Sequence, residues 1–153
     1  MRLLGHPVHP MLVHFPIVFW SCALAADVAS LVAGASLAAE IAFGALALGG
    51  ISGLLAMVAG IVDFLEVPRE SPARDVSVSH LMAMCSAWLI FLVALALHGY
   101  PPKTPVSLAA LFASAAGFLA MAYGAWLGGR LVYQYRVGTA ENAPPLVHEN
   151  RSH

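Results

Sequence analysis

The chain has 153 residues, of which 60% are hydrophobic and 10% charged, with a formal net charge of −1. A soluble domain carries roughly 25% charged residues, so there is too little polar surface here for a water-facing globule, and lipid must be the solvent over most of the chain. The near-neutral charge excludes a nucleic-acid footprint.

The chain opens with G-H-P-V-H-P-M-L-V-H-F-P-I-V-F at 5–19, which sets His6, His9 and His14 among Pro7, Pro10 and Pro16. The apolar run that follows outlasts the roughly 7–15 residues of a signal h-region, which argues against a secretory leader. Four apolar segments stand out, 11–33, 41–62, 81–97 and 106–129. Each approaches the roughly 20 residues that cross a bilayer as a helix. Helices satisfy their own backbone groups in lipid, and short connections favour antiparallel neighbours. The expected fold is all-α, an up-down-up-down four-helix membrane bundle occupying 1–139, with helices at about 10–33, 40–65, 76–98 and 106–135.

The connections are read from their turn residues: 33–40, a charged loop at 66–75 with Pro68 and Pro72, and a proline-rich one at 99–105. Asp75, Ser77 and Ser79 are candidate caps for the third helix. The polar segment 140–153 reads as a disordered tail. No internal repeat is visible. Cys22 and Cys85, without a C-x-x-C, read as small apolar core residues. Arg2, Arg69, Arg74, Arg130, Arg136 and Arg151 fall on one side and only Lys103 on the other. By the positive-inside rule both termini are cytoplasmic. Four-residue spacings such as Gly49/Gly53, Ala56/Gly60, Ala113/Gly117 and Gly124/Gly128 suit close helix packing. The same spacings would also leave a smooth face for a flat cofactor, and two helices carrying them make a homodimer an option.

Intramembrane ionisable groups are the functional candidates. His14 and His80 each lie about 6 Å into their helices at 1.5 Å per residue. Asp63 ends the second helix and Arg130 the fourth. Parallel first and third helices would let His14 and His80 face each other as axial ligands of haem b, with Asp63 or Arg130 holding an imidazole nitrogen or a propionate. The alternatives are a buried hydrogen-bond network, or a single zinc, copper or iron ion held by His9, His14, His80 and Asp63, with His6 a further candidate ligand. H-x-x-H-x-x-x-x-H is not a standard zinc spacing. Asp27 and His98 belong to the other end, where no second histidine pair forms and where a proton relay would find little continuation. No Ser-His-Asp triad or phosphate loop is recognisable.

The opening motif, G-I-V-D-F at 60–64, P-R-E-S-P-A-R at 68–74, His80 and G-A-W-L-G-G-R-L-V-Y at 124–133 resemble the DUF2231 family of four-helix bacterial membrane proteins. The resemblance covers 5 to about 139. It implies a bacterial inner-membrane protein of unassigned activity, some of whose relatives carry a Rieske-type iron–sulfur domain. Tyr135 stands where the family often has histidine. The expectation is a non-catalytic module bearing haem b, exchanging electrons between quinone and a partner protein. The alternative is a metal-binding or structural membrane subunit.

Overall fold

A computed structural model describes residues 2–3 and 6–139; the tail expected at 140–153 lies outside them. A minimal antiparallel pairing of β1 (Arg2–Leu3) with β2 (His6–Pro7) precedes five helical pieces. These are α1 (Val8–Leu12), α2 (His14–Ala33), α3 (Ser36–Glu66), α4 (Ala73–His98) and α5 (Leu108–Tyr133). With α1 and α2 forming one span, four helices have the length and apolarity to cross a membrane. The expected all-α bundle is therefore present, with ends that differ from expectation by up to four residues.

The break between α1 and α2 has a local cause. Pro16 has no N–H to donate, and its ring collides with the carbonyl four residues back, that of Leu12. Leu12 is where α1 stops. At the far end Gly34 adopts a left-handed φ of 61° and donates its N–H to the Ser30 carbonyl, closing α2. The third span begins earlier than its expected caps. Ser77 and Ser79 donate back to the carbonyls of Ala73 and Asp75, and Asp75 makes no cap. Arg74 instead donates to the carbonyls of Phe64 and Val67 and covers the Phe64 ring. A cation thereby meets the negative end of α3.

The inward face of each odd-numbered span follows one spacing. In the first span it is His9, Pro16, Trp20, Ala23 and Asp27; in α4 it is His80, Ala87, Phe91, Ala94 and His98. Members of the two rows lie 71 residues apart, and three of the pairs meet between the first span and α4. His9 meets His80, Trp20 stacks on Phe91 at 4.4 Å, and Asp27 is hydrogen-bonded to His98. The even spans repeat with an offset of 68: Ala42, Leu46, Gly49, Gly53, Ala56 and Gly60 correspond to Ala110, Ser114, Gly117, Met121, Gly124 and Gly128. The hairpin α1–α3 and the hairpin α4–α5 are thus related by a pseudo-two-fold axis along the bundle. This corrects the reading that there is no repeat. The offset changes by three residues between the spans of a hairpin, which breaks a single-period alignment.

The glycine faces turn inward and are filled by the chain's own side chains. A Cβ on Gly49 would lie 2.4 Å from the Trp20 indole nitrogen, and one on Gly117 would lie 3.1 Å from the Phe91 ring. A Cβ on Gly124 would lie 2.5 Å from the Met84 sulfur. Close packing therefore uses these faces. Cys22 is exposed on the outer face of α2 rather than in the core, and Cys85 is half-buried with its thiol 3.5 Å from the Met57 sulfur.

Candidate functional site

The half-buried rings of His9 and His80 meet on the pseudo-axis at the end of the bundle where the chain enters. Their centroids are 6.4 Å apart and their planes are nearly perpendicular, at 84°. His9 Nδ1 lies 2.8 Å from the Ala56 carbonyl of α3, and His80 Nδ1 lies 2.8 Å from the Gly124 carbonyl of α5. A carbonyl oxygen only accepts, so in both rings Nδ1 carries the proton and donates it. In the neutral ring Nε2 then keeps its lone pair.

One turn further along each partner helix a glycine lies against the imidazole. A Cβ on Gly60 would be 2.9 Å from His9 Cε1, and one on Gly128 would be 3.1 Å from His80 Cε1. The two halves of the site are thus built alike: a histidine on one helix, a carbonyl on the next, and a glycine four residues after it. Every element of this geometry is duplicated.

Of the residues expected at the site, His80 and His9 are brought together and His14 is not. Five residues at 100° each put His14 about 140° around from His9 on a helix, off the inward row. It is exposed and borders a shallow cavity of about 260 Å³ with Phe15, Val18 and Phe19. The expected facing of His14 and His80 is therefore corrected to His9 and His80. The side chain of His6 lies outside the described residues. Asp63 is half-buried and has polar contacts of its own, but the oriented nitrogens of His9 and His80 are met by backbone carbonyls instead. Arg130 is turned along α5, donating from Nε to Gln134 at 3.0 Å and lying 5.2 Å from the Trp126 ring. Tyr135 packs against the small cluster of Val67, Ala73 and Leu131. No three His, Cys, Asp or Glu side chains converge on one point among the described residues.

At the opposite end the structure pairs Asp27 with His98, which the sequence placed there unpaired, and adds Ser114, which it did not single out. Asp27, His98 and Ser114 are buried from three spans. His98 Nε2 is 2.7 Å from Asp27 Oδ1, and Ser114 donates to Asp27 Oδ2 at 2.6 Å. The carboxylate is central, so this is not the order of a Ser-His-Asp triad, in which histidine lies between the other two. The available signal was the spacing of 18 from His9 to Asp27 and from His80 to His98.

The family model described as "Predicted membrane protein (DUF2231)" matches residues 5–141. No curated protein and no solved structure matches the chain. With nearly its whole length covered, the chain belongs to the DUF2231 family of predicted membrane proteins.

Proposed function

We propose that this membrane protein is a non-catalytic metal-binding module in which His9 and His80 share one transition-metal ion through their Nε2 atoms. The observation that carries this reading is the pair of imidazoles with centroids 6.4 Å apart, each with its Nδ1–H fixed on a carbonyl. That second-shell bond is what orients metal-ligating histidines and raises their basicity. A metal–nitrogen distance of about 2 Å on each side of an ion puts the ring centroids roughly 6 Å apart. Imidazole donors suit zinc, copper, iron or nickel. Two protein ligands leave coordination positions open to solvent or a small molecule.

A second reading keeps the same two residues as axial ligands of haem b, exchanging electrons with quinone and a partner protein. The centroid separation of 6.4 Å supports it, being close to what two axial imidazoles on one iron would have. Against it, a macrocycle would have to displace the Met84 side chain from Gly124 and reopen the glycine faces at this level. The arginines Arg69, Arg74, Arg130 and Arg136, set against Lys103 alone at the other end, support a site on the cytoplasmic side of a bacterial inner membrane.

Metal analysis and an absorption spectrum of the purified protein separate these readings. The ion reading expects one metal per chain and no Soret band, with His9→Ala and His80→Ala each abolishing binding and His14→Ala retaining it. A Soret band lost in the same two variants selects haem. A protein that stays metal-free and colourless after exposure to zinc, copper, iron and haem overturns both.

A further inference from the structure

We propose that Asp27, His98 and Ser114 form a second site, at the end of the bundle away from His9 and His80, which binds a single proton as a net-neutral unit. The argument is an accounting of donors. His98 Nδ1 lies 2.8 Å from the Ala94 carbonyl and therefore donates to it. Ser114 Oγ donates to Asp27 Oδ2. The remaining contact, Asp27 Oδ1 to His98 Nε2 at 2.7 Å, joins two atoms that would both be acceptors without a proton between them. One proton must sit there. Whether it resides on the carboxyl or on the ring, the pair carries no net charge.

Burial makes that neutrality consequential. Both side chains are 0% exposed, and a lone carboxylate in such a place is costly to keep charged. Removing the proton would leave one negative charge in the apolar half of the bundle. Among the described residues the buried neighbours one turn away on the same helices, Ala23 and Ala94, are apolar, the Ser114 hydroxyl is the polar contact to the carboxylate besides His98, and Ser30 accepts from the Val106 N–H at 3.3 Å. That bond ties the connection after α4 to the end of α2.

The site occupies positions related by the same spacing as the His9/His80 pair. Positions 27 and 98 are equivalents, as positions 9 and 80 are. Like residues at 9 and 80 present two equivalent nitrogens, whereas unlike residues at 27 and 98 make one donor and one acceptor. The serine occurs once: Ser114 reaches Asp27, while its equivalent is Leu46.

Nitrogen NMR of the full chain in lipid, with labelled histidine, tests the protonation. The expected spectrum has His98 Nδ1 protonated at neutral pH, with one strongly deshielded proton in the bond from Nε2 to Asp27. An unprotonated His98 Nδ1, or an ionised Asp27 beside a neutral ring, overturns the proposal. A thermal-melting series supplies an independent check. Asp27→Asn keeps a neutral partner for His98 and should lower the midpoint least. His98→Ala isolates the carboxyl and should lower it most, or prevent folding. The Asp27→Asn/His98→Ala double variant should then recover part of the loss. A double variant worse than His98→Ala, or His98→Ala no worse than Asp27→Asn, overturns it.

Discussion

The two hairpins present the same levels to the same axis and have filled them differently. At the His9/His80 level both halves keep histidine, a carbonyl and a glycine. At the next level Trp20 faces Phe91, and the compensation lies on the neighbouring spans. The larger indole rests on Gly53, whose added Cβ would be 2.8 Å from Trp20 Cη2, while the smaller Phe91 shares its buried cluster with the equivalent Met121. At the far level Asp27 and His98 are complementary in charge. The two halves therefore differ in matched pairs, as packing at fixed volume requires. The unchanged level is the one expected to bind a symmetric ligand.

The largest break should come from Gly49→Ala. Its Cβ would meet the Trp20 ring at 2.4 Å, too close for a buried and stacked side chain to yield. A loss of about 3 kcal/mol of stability is expected from overpacking. Gly44→Ala, where a Cβ meets nothing within 4 Å, should instead stabilise by about 0.5–1 kcal/mol. Unfolding of both variants in detergent measures the contrast.

Exchanging the aromatic pair sharpens the comparison between halves. Trp20→Phe with Phe91→Trp keeps composition but drives an indole toward Met121, for an expected loss of about 2 kcal/mol. Adding Gly53→Met and Met121→Gly should recover most of it. Failure of the fourfold variant to recover stability, read in the same unfolding assay, would show that the halves are not equivalent at this level.

A smaller effect is expected from Gly128→Ala, which brings a Cβ to 3.1 Å from the His80 ring. The ring must shift by a few tenths of an ångström against its bond to Gly124. Metal affinity, measured by competition with a chelator, should fall about 10-fold, as for disturbed second-shell contacts. Gly129→Ala, with nothing within 4 Å, should leave it unchanged.

Much of the architecture was legible in composition and segment length. Lipid leaves few solutions to the backbone, so four apolar segments of spanning length became four helices. Membership of the family was legible too, and the family model matches residues 5–141. Depth in the membrane was estimated along the chain, and it grouped the polar residues by end. Azimuth was not: His14 has the depth of a ligand but lies off the inward row, and Pro16 stops α1 at Leu12, between it and His9. Only the packed structure could decide which face of each helix turns inward, because spans apolar on all sides carry little amphipathic signal. It also decided that backbone carbonyls, rather than Asp63 or Arg130, orient the histidines. Carbonyls leave no trace in a sequence, and neither does the pairing of residues 71 positions apart until two helices are laid side by side.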